Sequence, residues 1–299
     1  MMLKLTSFAW TVWRRCWQLL SWRKFTNPDD KRIRSIYFLQ SQGQSDKGSF
    51  GLNRQKDASV GSVCPSGLPL PDEAILKYGS DPTRYLKTGE RDIRIMKDAL
   101  ARHGVDSDVG PGNFLEFGCA NARVIRWLSD WASQGEGWGV DFNSAMMMWC
   151  HQNLSPPFHF AVSTLHPRLS FSDHHFDLVF AFSVFTHIGD MYFSWICEMR
   201  RIIRPGGLFY FTIHDEVAKE IQTKLGSNPQ KRRNDSEVYQ LFLENDSDFC
   251  CVGRDWYSLI SFKREYLIEH LSSYFEILEF VERAMGDSQT GVLVRRKPT

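Results

Sequence analysis

The sequence predicts an α/β protein built on a doubly wound sheet and preceded by an N-terminal helical extension. Three observations carry that expectation. Strand and helix signals alternate from Phe114 to Ile213, the pattern of β-α units that feed a parallel sheet through crossover helices. The run from Phe176 to Phe182 is apolar except for Asp177, as in strands covered on both faces. A glycine-bearing turn at Gly118 is followed, about 20 residues on, by an acid (Asp141) that closes a second short strand.

The elements follow in order. Residues 3–22 form an amphipathic segment: at about 100° per residue, Lys4, Ser7, Thr11, Arg14, Arg15, Gln18 and Ser21 share a narrow polar face. Trp10, Trp13 and Trp17, with Leu and Phe, cover the rest. Two readings stand side by side, a helix lying in a membrane interface and a helix packed on its own domain or a partner. A mitochondrial targeting peptide is disfavoured by the density of Trp. Residues 40–70, rich in Ser, Gly, Gln and Pro, read as a linker.

Ile93, Met96 and Leu100 recur at helical spacing between Glu90 and His103, with Gly104 as a stop. Strands are expected at Phe114–Gly118, Trp138–Asp141, Phe158–Val162, Phe176–Phe182 and Leu208–Ile213. Helices are expected through Val124, Leu128 and Trp131, from about Ser144 to Gln152, and over 190–203, the last stopped by Pro205-Gly206-Gly207. The stretch from about 215 to 262 is polar and breaks the rhythm, so it reads as an irregular insertion over the ligand edge. A helix near 263–273 and strands through Phe275 and Val292 close the chain. The division is therefore 1–70, helix and linker, and 71–299, one α/β domain.

Composition narrows the function. The 299 residues are 42% hydrophobic and 24% charged, which excludes disordered and fibrous classes. The net charge of +1 is uneven: residues 1–28 carry five basic and no acidic side chains, so the body is slightly acidic. That disfavours a broad nucleic-acid surface. Seven cysteines without a CxxC pair indicate reduced thiols, not a disulfide framework or a zinc site. Arg14 and Arg15 interrupt the only N-terminal apolar stretch, so no signal peptide is expected, and Phe176–Ile188 is too short to span a bilayer. The expected location is cytoplasmic, with peripheral contact at the inner membrane face if residues 3–22 lie in the interface.

In an open α/β sheet, ligands bind beyond the carboxyl ends of the strands where strand order reverses. Three segments end at that edge: Glu116-Phe117-Gly118-Cys119-Ala120-Asn121-Ala122-Arg123, Val140-Asp141-Phe142, and Phe182-Ser183. Gly118 lets the backbone approach a ligand closely, and Asp141 can accept both hydroxyls of a ribose. Further along stand Phe176-Asp177-Leu178-Val179, Ser183-Val184-Phe185-Thr186-His187 and Arg204-Pro205-Gly206-Gly207. In these stations the sequence resembles the class I S-adenosylmethionine-dependent methyltransferases, and most closely a bacterial branch associated with small molecules and glycans. The resemblance covers roughly residues 70–299 and is specific over 114–213.

The resemblance implies a Rossmann-like, seven-stranded sheet and S-adenosylmethionine as cofactor. It implies that Glu116 orients the turn and reaches toward the cofactor's amino group, that Gly118 lies against the methionine portion, and that Asp141 holds the ribose hydroxyls. Phe142 would stack beside adenine, Ser163 would lie at the adenine edge, and Ser183 near the cofactor's carboxylate or the acceptor. Cys119 and Ala120 belong to the same cofactor-binding turn, Cys119 as a small buried residue and not a nucleophile. The chain departs from the pattern at Ala120 and Ala122, where glycines are usual; two methyls there are expected to weaken cofactor binding unless the loop shifts.

For a hydroxyl acceptor a base must remove the proton during attack, and histidine suits that work. His187 and His214 both follow sheet strands on the expected side. No metal cluster is expected, and an Asn/Asp-Pro-Pro-aromatic run that would mark amino-nitrogen methylation is missing from the fourth strand. The leading expectation is methyl transfer, at oxygen, to a small-molecule, sugar or lipid-linked acceptor, with Trp256 available to stack on a sugar ring. The alternatives are a membrane-tethered binding protein that lost turnover and a nucleic-acid methyltransferase. The latter needs Lys231-Arg232-Arg233 and Arg295-Arg296-Lys297 to form one patch.

Overall fold

The computed structural model describes residues 35–38, 67–71, 81–224, 242, 247–252, 258–286 and 288–298. The amphipathic segment at 3–22, most of the 40–70 linker, Lys231-Arg232-Arg233, Trp256 and Tyr257 lie outside the described residues.

In chain order the elements are β1 (Ser35–Phe38), α1 (Pro82–Arg102), β2 (Phe114–Phe117), a 3-10 turn (Ile125–Leu128) running into α2 (Ser129–Ala132), β3 (Gly137–Asp141), α3 (Ser144–Leu154), β4 (Phe158–Val162) and β5 (Phe176–Ala181). Then come α4 (Tyr192–Ile202), β6 (Ile203–Ile213), α5 (Glu216–Lys224), β7 (Phe249–Val252), β8 (Leu259–Phe262), α6 (Arg264–Leu271), β9 (Phe275–Met285) and β10 (Gln289–Arg296).

Seven strands form the main sheet in the order β4-β3-β2-β5-β6-β10-β9. The first five are parallel, whereas β10 runs antiparallel to both β6 and β9. From β2 the chain winds outward to β3 and β4, then returns to β5 on the other side, so order reverses between β2 and β5. The seven-stranded, doubly wound α/β architecture expected from the sequence is the one observed.

Alternation along the strands explains why the sheet is buried on both faces. On β5, Val179 and Ala181 join one core cluster with Trp195, Ile196 and Met199 of α4 and Leu267 and Leu271 of α6. Leu178 and Phe180 join the other, with Ile93, Met96 and Leu100 of α1 and Met147 and Cys150 of α3. Phe180 is fully buried, a burial that contributes about 1.5–3 kcal/mol.

Four expectations need correction. The helix expected from Glu90 begins at Pro82, where Asp81 caps it by accepting the Thr83 amide and proline occupies the first turn. The segment through Val124 and Trp131 is a 3-10 turn and one short α-turn, not a regular helix. Pro205-Gly206-Gly207 lies inside β6, where the register against β5 jumps from Phe176↔Ile203 to Leu178↔Leu208 and Gly206 takes φ +78°; helix α4 stops earlier, at Ile202. The 215–262 block is also more ordered than its polarity implied. It contains α5, and β7 and β8, which join β1 in a three-stranded sheet. That sheet is tied to the ends of β5 and β6: the Ile260 amide donates to the Thr186 carbonyl at 3.0 Å and the Phe262 amide to the His214 carbonyl at 2.9 Å.

Candidate functional site

At the point where strand order reverses, a cavity partly open to solvent lies over the carboxyl ends of β2, β3, β4 and β5. Gly118, Ala120, Asp141, Phe142, Ser163, Ser183 and His187 all line it. Residues scattered over 70 positions of sequence thus meet because four parallel strands deliver them to one edge.

The turn after β2 supplies its floor. Gly118 takes φ +74°, and a Cβ there would lie 2.3 Å from Cγ2 of Val184. Glycine is therefore required both by the backbone and by the facing side chain. The two residues that stand where glycines were expected, Ala120 at φ +48° and Ala122 at φ +61°, take the left-handed conformation that glycine adopts readily. Holding an L-residue there costs about 1–2 kcal/mol, so the turn carries local backbone strain.

Asp141 is buried at the end of β3. Its Oδ2 accepts the Ala120 amide and its Oδ1 the Asn143 amide, each at 2.9 Å. Every carboxylate oxygen has two acceptor positions, so each keeps one after these backbone bonds. Phe142 follows, half-buried on the cavity wall, and Asn143 caps α3 by accepting the Met146 amide at 3.1 Å. Ser163 sits at the end of β4, its amide donating to the Asp141 carbonyl at 2.9 Å.

Ser183 has φ +57° and is held by a closed set of bonds. Its amide donates to Oγ1 of Thr212 at 2.7 Å, Thr212 Oγ1 donates to Oε1 of Gln289 at 2.6 Å, and Nε2 of Gln289 donates to Oγ of Ser183 at 2.8 Å. The Ser183 hydroxyl proton must therefore point elsewhere, toward Thr186 Oγ1 at 3.3 Å or into the cavity.

Three expected site residues are not on the cavity wall. Glu116 is buried beneath the turn, where Oε2 accepts the Ile125 amide at 2.8 Å. Burial pushes its carboxyl up to about 8, with nearby Asp141 adding to the rise and the Ile125 amide and Arg123 opposing it. Cys119 is buried with its Sγ 3.8 Å from Sδ of Met147, and burial raises its thiol well above the ordinary range. His214 is buried with Nδ1 2.9 Å from the Ser288 carbonyl. Its neighbour Asp215 turns to Nε of Arg264 at 2.7 Å and Oγ1 of Thr290 at 2.8 Å.

His187 differs, because it lines the cavity while Nδ1 lies 2.9 Å from the Ser258 carbonyl and the Ser258 hydroxyl donates to the His187 carbonyl at 2.7 Å. A carbonyl only accepts, so the neutral ring carries its hydrogen on Nδ1 and its basic lone pair on Nε2.

The rest of the wall, Thr164, Leu165, Ile188, Met191 and Trp195 among it, was not singled out by the sequence. Met191 and Trp195 fall there in the helix expected over 190–203, and Ile188 ends the apolar run from Phe176. Gln289 and Thr212 come from distant strands and carry no local motif.

The second basic run lies far from this edge. Arg295 pairs in register with Leu208, midway along β6, and Arg296 is buried with Nη1 on the Ile203 carbonyl at the strand's amino end. No helix among the described residues is long and apolar enough to cross a membrane.

A positively charged sulfonium joined to a nucleoside fits these residues. Among the described residues lining the cavity Asp141 is the one acidic side chain and none is Lys or Arg, and Val184 packs over Gly118 where a Cβ would otherwise lie.

Residues 115–211, about a third of the chain, match a family described as "Methyltransferase domain". The matched segment runs from β2 into β6 and so includes the turns that carry Gly118, Asp141 and Ser183 to the cavity. Solved structures similar to this chain include an S-adenosylmethionine-dependent methyltransferase from Methanosarcina mazei (17% identity, 67% of this chain and 98% of that one, TM-score 0.48). Another is the 1,6-didemethyltoxoflavin-N1-methyltransferase of Burkholderia thailandensis with S-adenosylhomocysteine (14%, 72% and 83%, TM-score 0.47). A third is the magnesium protoporphyrin IX methyltransferase of Synechocystis PCC 6803 (12%, 72% and 86%, TM-score 0.47).

Proposed function

We propose that the protein transfers the methyl group of S-adenosylmethionine to a hydroxyl oxygen of a compact, largely apolar small molecule. The cofactor supplies a methyl already activated on a positive sulfur, so the protein's work is alignment and proton removal. In this reading Asp141 accepts the ribose hydroxyls through the positions its backbone bonds leave open. Gly118 and Ala120 bed the methionine portion, Phe142 and Ser163 contact adenine, and Ser183 donates to a cofactor or acceptor oxygen. Glu116 acts from beneath by fixing the turn. Leu165, Val184, Ile188, Met191 and Trp195 give the acceptor an apolar seat.

The observation that carries the choice of oxygen is the Nδ1 contact of His187 with the Ser258 carbonyl, which puts the basic nitrogen of a cavity-lining ring at Nε2. A hydroxyl acceptor needs such a base as attack proceeds. The test is a tritiated-methyl transfer screen across hydroxylated aromatic and aliphatic compounds, simple sugars and primary amines. Label on the apolar alcohols or phenols is expected; label confined to amines or sugars overturns the reading.

A further inference from the structure

The turn after β2 is tied at nearly every position from 120 to 125, and two of the ties come from a helix that does not touch the cavity. The Ala120 amide is held by Asp141 and the Ile125 amide by Glu116. Between them, the Tyr85 hydroxyl of α1 donates to the Asn121 carbonyl at 2.8 Å. Asp92 of α1 pairs with the Arg123 guanidinium at 2.7 Å, both side chains buried, and burial raises the Asp92 pKa although Arg123 pulls it down. Nε of Arg126 donates to the Ala122 carbonyl at 3.1 Å while its Nη2 reaches the Pro69 carbonyl at 2.8 Å. Gly89 makes the approach possible, since a Cβ there would lie 2.2 Å from the Arg123 carbonyl oxygen.

These contacts surround the two alanines that occupy glycine conformations. Left alone, a loop with Ala120 and Ala122 would relax toward negative φ, moving the floor on which Gly118 lies. We infer that Tyr85 and Asp92 are positioning residues for the cofactor site: α1 clamps the turn from behind, holds the alanines left-handed, and so restores the cofactor affinity that the missing glycines would otherwise forfeit. The inference rests on the cofactor reading of this cavity. It adds that the affinity is set in part by a helix outside the matched segment.

Tyr85→Phe removes one hydroxyl and nothing else, and so provides the test. By calorimetry, S-adenosylhomocysteine should bind Tyr85→Phe about tenfold more weakly than wild type, the size of one lost buried hydrogen bond. Adding Ala120→Gly to Tyr85→Phe should bring binding back close to the wild-type value, because glycine holds φ +48° without a clamp. Hydrogen exchange of the ligand-free protein gives a second readout: amides 120–123 should exchange faster in Tyr85→Phe while those of β5 do not. Unchanged affinity and exchange in Tyr85→Phe, or a loss that Ala120→Gly leaves uncorrected, overturns the clamp. Wild-type protein that fails to bind S-adenosylhomocysteine overturns the cofactor reading itself, and the clamp with it.

Discussion

The Asp141 carboxylate and the Ala120 amide are joined at 2.9 Å across the strand ends, Oδ2 of one accepting from the other. The bond does two things at once. It fixes the tip of the turn after β2, and it orients a carboxylate whose other oxygen is already set by the Asn143 amide. A ligand that meets this carboxylate meets a group that is already ordered, so little side-chain entropy remains to be lost on binding.

Gly118→Ala should be one of the costliest single-methyl changes in the molecule. The new Cβ would fall 2.3 Å from Val184 Cγ2 in a backbone at φ +74°. Overpacking and strain together predict a loss of about 2–4 kcal/mol. Chemical denaturation would measure it, and Val184→Ala in the same chain should return the overpacking part only. Additive losses in the double variant would refute the contact.

Glu116 makes stability depend on pH in a direction opposite to the usual carboxylate. Its pKa rises from an ordinary 4.5 to about 8 on folding, so the folded state holds the proton more tightly. The stabilisation is complete below about 4.5 and declines as pH rises toward about 8. Glu116→Gln, neutral at every pH and still able to accept the Ile125 amide, should flatten the thermal midpoint between those limits. It should also stand above wild type at pH 8. Parallel profiles for the two proteins would contradict the assignment.

His187→Gln should lower kcat by about 10²–10⁴ if the ring removes the acceptor's proton, with S-adenosylhomocysteine affinity within about twofold of wild type. His214→Gln, a change away from the cavity wall, should leave kcat nearly intact once folding is confirmed. Steady-state kinetics on both variants separates the two histidines; equal losses would remove His187 from the base role.

Gln289→Leu breaks the closed set that includes Ser183 and Thr212. It leaves the Thr212 hydroxyl and the Ser183 oxygen without these partners, at a cost of about 1–3 kcal/mol. Gln289→Glu retains an acceptor for Thr212 but loses the donor to Ser183. Because it also buries a carboxyl, it should lower the melting temperature as well as raise the KM for donor or acceptor. A pure stability loss with unchanged KM would assign the network to folding alone.

Much of the fold was legible in the sequence because two periodicities wrote it. Runs that are apolar but for one residue, such as Phe176–Ala181 with Asp177, mark strands buried on both faces, and Gly118 and Asp141 mark where the chain turns back over the ligand edge. What was not legible came from contacts between distant segments. The start of α1 lies ahead of the Ile93, Met96 and Leu100 spacing, in a stretch where Tyr85 and Gly89 face the turn after β2 instead. Within the 215–262 block, β7 and β8 carry buried Phe249, Cys250, Ile260 and Phe262 and are tied to Thr186 and His214 by backbone bonds that leave no trace in residue type. Ala120 and Ala122 read as departures from a glycine pattern, whereas their φ values retain the glycine conformation. His187 and His214 were equivalent by position along the chain; only the cavity wall tells them apart.

Titration of the full-length chain with S-adenosylhomocysteine, beside the Asp141→Ala variant, bears most directly on whether this cavity is the methyl donor's seat. Saturable one-to-one heat in the wild type and none in the folded variant is the predicted pair of curves. Equal heats from both proteins, or silence from the wild type, would show that the donor is held elsewhere or not at all.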